Sequence, residues 1–179
     1  MKNKRVMALW CKSEIIINKK EIVAVIPVKG HSNRIVSKNT TPFHNTTLYE
    51  LKLSQLTKVK GFKKIIISSE DENILKIADN KFGFDIHRRD PKYSTNGIPM
   101  SEVYSYIASE VSGEHIAWIN VTNPLTDPVI YENAIYEYIN LDKKYDCLLS
   151  AYELKEYIFY KSKPMNFKPY PWQNSQNLK

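Results

Sequence analysis

A single glycine and several cations follow directly on an apolar run near the start of the chain. Residues 23–28 read Val-Ala-Val-Ile-Pro-Val, and residues 29–39 read Lys-Gly-His-Ser-Asn-Arg-Ile-Val-Ser-Lys-Asn. Backbone N–H groups around Gly30 and Ser32 can cradle phosphate oxygens. Three side chains of this segment, which we call the Gly30 loop (residues 29–39), supply positive charge: Lys29, Arg34 and Lys38. The loop therefore predicts a site for a phosphate-bearing ligand.

The Gly30 loop differs from both common phosphate-binding fingerprints. A P-loop has a second glycine directly before its lysine, whereas Ser37 precedes Lys38 here. A dinucleotide-binding loop has three glycines, and this loop has one. The plainer alternative is a basic surface loop that follows a core strand. His31 lies in the loop, and a lone histidine in a polar loop is expected to be solvated rather than a general base.

Three further polar segments also follow apolar runs. Ser68-Ser69-Glu70-Asp71 follows Ile-Ile-Ile, and its Ser69 and Asp71 are expected to cap the next helix, with a metal-binding role as the alternative. Residues 88–96 contain two arginines, and residues 120–126 contain two asparagines whose amides can bind a sugar or a base edge. The carboxyl ends of parallel strands share one edge of a sheet, so these segments are expected to converge on one cleft.

Apolar runs and helical spacing alternate along the chain, which predicts a three-layer α/β sandwich around a mostly parallel sheet. The predicted strands cover residues 21–28, 64–69, 84–88, 115–121 and 145–152. The predicted helices cover residues 47–59, 71–82, 99–112 and 128–141. We expect residues 1–20 to form a basic extension and residues 21–179 to form one domain.

The composition favours a small-molecule partner over nucleic acid or membrane. The net charge is +7, but only 4 of the 26 basic residues are arginine, and the lysines are scattered rather than clustered. A mean hydropathy of -0.44 and the lack of a long apolar run exclude a transmembrane helix. The two cysteines, Cys11 and Cys147, have no metal-ligand spacing and predict free thiols in a cytoplasmic protein.

The Gly30 loop resembles the opening motif of the acylneuraminate cytidylyltransferases, the CMP-sialic acid synthetase family. That motif reads Ile-Pro-Ala-Arg-Gly-Gly-Ser-Lys-Arg-Ile-Pro-x-Lys-Asn, and Lys29 stands where the family has arginine. Eight residues agree with it in order: Ile26, Pro27, Gly30, Ser32, Arg34, Ile35, Lys38 and Asn39. The resemblance implies a Rossmann-like fold of the nucleotide-diphospho-sugar transferase type.

Weaker matches continue beyond this loop. Arg89, with Arg88 as its rival, aligns with a family arginine that contacts the nucleotide, while Asn96 replaces a family aspartate. The family pattern Gln-Pro-Thr-Ser-Pro-Leu-Arg is similar to residues 120–126, although Thr126 replaces its arginine. The family's metal-binding aspartates are expected beyond the last residue, so the chain is either a fragment or a shortened homologue.

The resemblance implies transfer of CMP from CTP to a nonulosonic (sialic-type) acid sugar with release of pyrophosphate. Mg²⁺ is the expected cofactor, and a homodimer is compatible with the family. The implied catalytic residues are Lys29 and Lys38. The implied nucleotide-binding residues are Gly30, Ser32, Arg34, Asn39 and Arg89, and the implied sugar-binding residues are Asn120, Thr122 and Asn123.

Two other functions remain open on the sequence. A catalytically impaired module that binds a nucleotide or a sugar nucleotide would keep the cleft without the metal-binding segment. A different nucleotidyltransferase or a glycosyltransferase-like protein could use the same fold, since a fold does not fix its chemistry.

Overall fold

The structure is a computed structural model that describes residues 21–30, 38–151, 155–171, 174 and 176. The basic extension and the middle of the Gly30 loop, including Ser32 and Arg34, lie outside the described residues. The described residues up to Asp142 form one compact unit, and those from Lys143 onward form a second. None of the described helices is long and apolar enough to cross a membrane.

The first unit contains six strands and four α-helices. The strands are β1 (Ile22–Pro27), β2 (Pro42–Phe43), β3 (Thr46–Thr47), β4 (Lys64–Ser69), β5 (Asp85–Arg88) and β6 (His115–Trp118). The helices are α1 (Leu48–Leu56), α2 (Glu72–Phe82), α3 (Met100–Glu110) and α4 (Pro128–Ile139), with a short 3-10 helix over Pro91–Ser94. Apart from the short strands β2 and β3, which were not predicted, strands and helices alternate as the sequence predicts.

Four strands form one sheet in the order β5-β4-β1-β6, and every neighbouring pair is parallel. Val25 of β1 lies between Ile66 of β4 and Trp118 of β6. The chain moves outward on one side from β1 to β4 to β5, and then returns to the other side of β1 for β6. This reversal makes the gap between the carboxyl ends of β1 and β6 the switch point of the sheet, where open α/β folds bind their ligands.

Both faces of the sheet are covered, which gives the three predicted layers. Alternate residues of β1 point to opposite faces: Ala24 and Ile26 pack with residues of α1 and α2, whereas Val23 and Val25 pack with residues of α3. Every residue of β1 before Pro27 is buried. A central parallel strand that is buried on both faces has a continuous apolar sequence. For this reason the position of β1 could be predicted from the sequence.

Specific residues cap the helix ends, and among them the Asp71 cap was predicted. The Thr47 hydroxyl accepts a hydrogen bond from the backbone N–H of Glu50 at 3.1 Å, which caps α1. The Asp71 carboxylate accepts from the backbone N–H of Asn73 at 2.8 Å, which caps α2. Gly83 ends α2 in the left-handed conformation with φ of 66°, a region in which glycine has no steric penalty.

The strand predicted over residues 145–152 is wrong for residues 145–151, which form no strand; Tyr152 lies outside the described residues. Residues 145–151 are exposed and do not pair with any described strand. The second unit instead has a short hairpin of β7 (Phe159–Tyr160) and β8 (Lys163–Pro164). Phe167 packs edge-on against Tyr157 and Phe159, with ring centroids 4.9 and 5.2 Å apart.

Candidate functional site

The two ends of the Gly30 loop are held together at the carboxyl end of β1. The Asn39 side-chain amide donates to the carbonyl of Lys29 at 3.3 Å. The Asn39 carbonyl accepts from the backbone N–H of Tyr49 at 2.9 Å, which ties the end of the loop to the start of α1. The loop therefore leaves the sheet and returns to it at nearly the same place, beside the switch point.

Gly30 passes too close to the start of α2 for any side chain. A Cβ atom at this position would lie 2.5 Å from Asp71 Oδ2 and 2.7 Å from Asp71 Cβ. The backbone N–H of Gly30 donates to Glu70 Oε1 at 2.9 Å. Glycine is thus required here by the close approach of the loop to the segment that follows β4.

Glu70 and Arg89 form a buried ion pair that joins three segments at this edge. Arg89 Nη2 donates to Glu70 Oε2 at 2.7 Å and to the carbonyl of Val28 at 2.8 Å. Arg89 Nε donates to the Ser94 hydroxyl at 3.0 Å, and that hydroxyl donates to Glu70 Oε2 at 2.7 Å. The pair therefore links the carboxyl ends of β1 and β4 to the segment after β5.

The surroundings of Glu70 favour its charged form. Burial raises the pKa of the carboxyl group, but hydrogen bonds from Ser94, Arg89 and the backbone N–H of Gly30 outweigh burial and hold the pKa below its ordinary value. Only 1% of the Arg89 side chain and 16% of the Glu70 side chain are exposed. The guanidinium is therefore engaged within the chain and is not exposed at the surface.

The two predicted catalytic lysines lie at opposite ends of the Gly30 loop. Lys29 is half-buried, and its ammonium donates to the carbonyl of Thr95 at 3.3 Å, in an exposed contact with the segment after β5. Lys38 is also half-buried. Lys29 thus places a positive charge at the carboxyl edge of the sheet, beside the segment after β5.

The predicted sugar-binding residues lie across the switch point from the Gly30 loop. Asn120, Thr122 and Asn123 follow β6 and are all exposed. Strands β1 and β6 are held in register up to this level, with the N–H of Ile119 donating to the carbonyl of Val25 at 3.0 Å. The segment over residues 120–126, which we call the β6 loop, therefore lies at the carboxyl end of the strand next to β1.

The β6 loop is fixed from below by α1. Lys52 is completely buried, and its ammonium donates to the carbonyl of Asn123 at 2.7 Å and to the Tyr131 hydroxyl at 2.9 Å. The Gln55 side-chain amide donates to the carbonyl of Pro124 at 2.6 Å. Lys52 was missed by the sequence analysis, although its spacing from Tyr49 and Leu56 places all three on one face of α1.

A sequence profile described as cytidylyltransferase matches residues 23–168, most of the chain and all of the cleft described above. The chain belongs to the cytidylyltransferase family. The resemblance found in the sequence is thereby confirmed at the level of cytidylyltransferases in general. Among curated proteins, none matches the chain.

Solved structures support the same fold for this cytidylyltransferase-family chain. It is similar to CMP:2-keto-3-deoxy-manno-octonic acid synthetase complexed with CTP, with 15% identity and a TM-score of 0.54 over 65% of this chain and 46% of that one. It is also similar to the bifunctional IspDF from Campylobacter jejuni, with 17% identity and a TM-score of 0.61 over 81% of this chain and 37% of that one.

A third similar structure is a cytidylyltransferase from Leptospira borgpetersenii serovar Hardjo-bovis (strain JB197). It has 20% identity and a TM-score of 0.56 over 69% of this chain and 51% of that one. The chain thus spans about half or less of the length of the three structures. At these identities the likeness is one of fold: a parallel sheet flanked by helices, as in other nucleotidyltransferases.

The acidic residues after β4 serve structural roles rather than forming a metal site. Asp71 caps α2, as predicted, and both carboxylate oxygens of Glu70 accept hydrogen bonds from within the chain. Within the described ranges, no group of three or more His, Cys, Asp or Glu side chains is placed to hold a metal ion. These residues on their own do not fit the predicted Mg²⁺.

Proposed function

We propose that this member of the cytidylyltransferase family transfers CMP from CTP to a nonulosonic acid sugar and releases pyrophosphate. The observation that carries the proposal is the Gly30 loop, which follows the central strand of an all-parallel sheet and borders its switch point. The lysines at both ends of the loop suit a triphosphate.

The proposed reaction is a single displacement at phosphorus. The anomeric hydroxyl of the acid sugar attacks the α-phosphorus of CTP; the new oxygen–phosphorus bond forms as the bond to the bridging oxygen of the β-phosphate breaks. The hydroxyl proton is lost to solvent, and pyrophosphate leaves. Such transfer depends on positioning and on neutralising charge more than on a covalent nucleophile.

The proposed roles combine the resemblance of the sequence with the contacts of the described residues. Lys29 and Lys38 neutralise the phosphate charge, together with Arg34 and the loop around Ser32. Asn39 contacts the nucleotide. Arg89, which the sequence assigned to the nucleotide, is proposed to act from below by holding Glu70 and Val28 in place, because its guanidinium already binds both.

The acceptor is proposed to bind to the β6 loop, across the switch point from the triphosphate. Asn120, Thr122 and Asn123 are exposed and offer amide and hydroxyl groups, which can both donate to and accept from sugar hydroxyls. The excess of lysine gives the protein a positive net charge, which favours an acceptor that carries a carboxylate.

Pyrophosphate release tests this proposal. The protein is mixed with CTP, a divalent cation and each member of a panel of nonulosonic acids, with ATP, GTP and UTP as nucleotide controls. We expect release with CTP and at least one acid, and a loss of release in Lys38→Ala that the exposed control Lys76→Ala does not show. Release that is equal with every nucleotide would contradict the cytidine assignment.

A non-catalytic module that binds a nucleotide is the second candidate function. It is favoured by one observation: Glu70 already occupies the Gly30 N–H and Arg89, two donors that the resemblance assigns to the nucleotide. Calorimetry distinguishes the two functions, because CTP binding without pyrophosphate release from any acid supports the binding module.

A further inference from the structure

Lys52 is an unusual residue to find completely buried in α1. Lysine is almost never fully buried unless it is paired, yet within the described part of the chain no carboxylate lies within ion-pair distance of it. Burial lowers the pKa of its ammonium group, which reflects the free-energy cost of a desolvated charge. A residue that carries this cost is expected to do something that an apolar side chain in α1 could not.

The contacts of Lys52 all lead to the β6 loop. Its ammonium binds the carbonyl of Asn123 directly, and it binds the Tyr131 hydroxyl, which in turn forms a hydrogen bond with the side chain of Thr126. Gln55, one turn further along α1, binds the carbonyl of the neighbouring Pro124. Three positions of one short loop are therefore fixed from beneath by α1 and α4.

The outward side of the same loop is exposed. Asn120, Thr122 and Asn123 are exposed, and Leu125 is 92% exposed. Lys52 therefore fixes the backbone of a loop whose side chains are free to meet a ligand, and its own side chain is too deeply buried to touch that ligand. Lys52 therefore holds the loop, while the exposed side chains of the loop are the ones that can contact a substrate.

We propose that Lys52 is a positioning residue that holds the β6 loop in the shape in which it binds the acceptor of the transfer reaction. The proposal rests on the proposed function for the identity of the acceptor. The loop-holding role itself does not depend on that function, because it follows from the contacts of Lys52 alone.

Two measurements on the full chain test the proposal. The variant is Lys52→Met, which keeps the side-chain length but removes the charge and the donors; Lys58→Met, just beyond α1 and exposed, is the matched control. The first measurement is hydrogen exchange in peptides that cover residues 120–126. The second is the KM for the acceptor and the KM for CTP.

We expect exchange in residues 120–126 to accelerate about tenfold or more in Lys52→Met, the scale for losing a hydrogen bond to a charged group, while β1 and β4 keep their protection. The KM for the acceptor should rise by a similar factor with the KM for CTP nearly unchanged. Lys58→Met should change neither quantity. A merely structural lysine would instead weaken the protection of the whole sheet and affect both substrates alike.

Unchanged exchange in the β6 loop, or an equal rise of both KM values, would overturn the proposal. If Lys52→Met does not fold, Tyr131→Phe removes one partner of the ammonium while keeping the aromatic ring, and Gln55→Met removes the neighbouring contact. Both should accelerate exchange in the same loop. If the wild-type protein releases no pyrophosphate with any acid, the proposed function fails, and loop exchange alone then decides the role of Lys52.

Discussion

Glu70 and Glu72 lie two residues apart, and each forms an ion pair with one of two adjacent arginines. The pair of Glu70 with Arg89 is buried, whereas the pair of Glu72 with Arg88 has side chains that are 52% and 65% exposed. The chain therefore provides a matched comparison of a buried and a solvated ion pair, and the two pairs should differ widely in their contribution to stability.

We predict that Glu70→Ala lowers the free energy of unfolding by about 3–5 kcal/mol, because it leaves the Arg89 guanidinium buried without its carboxylate. Glu72→Ala should cost less than about 1 kcal/mol, since water replaces the lost partner of Arg88. Urea unfolding of the two variants measures both values. Similar losses in the two variants would show that burial of the Glu70 pair adds nothing to its contribution to the free energy of unfolding.

At Asn39, a separate prediction distinguishes recognition of cytidine from general binding of anions. The lysines of the Gly30 loop attract any polyphosphate, whereas an amide can select a base or a ribose by hydrogen bonds. Asn39→Ala should therefore weaken binding of CTP by about 1–3 kcal/mol more than binding of inorganic triphosphate. Lys29→Ala should weaken both about equally in a competition titration.

The opposite outcome for Asn39 also has a clear structural meaning. Its side chain donates to the carbonyl of Lys29 and thereby closes the Gly30 loop. If Asn39→Ala weakens CTP and triphosphate alike, Asn39 acts by closing the loop, and the selection of cytidine must come from other residues.

Among the secondary-structure elements, β4 was predicted with the correct bounds and β1 within one residue at each end, because continuous β-branched runs are typical of strands buried on both faces. The start and end of α2 were predicted because Asp71 and Gly83 have specific capping roles. The strand expected over residues 145–152 was wrong, although Leu148 and Leu149 are apolar. Composition alone does not reveal whether a neighbouring strand is available for pairing.

The location of the candidate site was predictable, but its internal contacts were not. Parallel strands end at one edge, so the Gly30 loop, the segment after β5 and the β6 loop had to lie on the same side of the sheet. The contacts of Glu70 with Arg89 and Ser94 join residues 19 and 24 positions apart, in different loops. No local periodicity encodes such a pairing, and for the same reason the sequence did not reveal that Lys52 holds the β6 loop.

Within β5, His87 makes the stability of the sheet depend on pH. Burial lowers the pKa of His87 below its ordinary value of 6.5; the charge of Glu110 raises it and that of Arg89 lowers it further. The unfolded chain therefore binds a proton more readily than the folded chain does. The stability contributed by neutral His87 is complete above the ordinary pKa and is lost as the pH falls through the lower, folded value.

We predict that the free energy of unfolding decreases as the pH falls from about 7.5 to about 5, on either side of the ordinary histidine pKa. The decrease should be smaller in His87→Asn, whose amide can still reach the Ser68 hydroxyl that lies 2.9 Å from His87 Nδ1 but does not titrate. Chemical unfolding at the two pH values measures this difference. An identical decrease in both proteins would assign the pH dependence to other groups.

At the scale of the whole molecule, the described sheet and all four of its helices belong to the first compact unit. A protein that ends at Asp142 should therefore unfold cooperatively on heating, since its core is intact. Residues 143–179 alone should show no such transition, because segments below about 40 residues usually need disulfides, metals or a partner to fold. Calorimetry of the two pieces tests this division, and a shorter chain without a transition would contradict it.

The position of β1 in the middle of the sheet has a consequence for biosynthesis. The ribosome delivers β1 before either of its neighbouring strands. The residues that pair with Val25 on its two sides, Ile66 of β4 and Trp118 of β6, are synthesised much later. A nascent chain that has reached α2 still exposes one edge of an apolar, β-branched strand, the kind of segment that aggregates. Completion of β6 seals that edge, so mutations that slow the emergence of β6 should reduce the yield of soluble protein without changing the final fold.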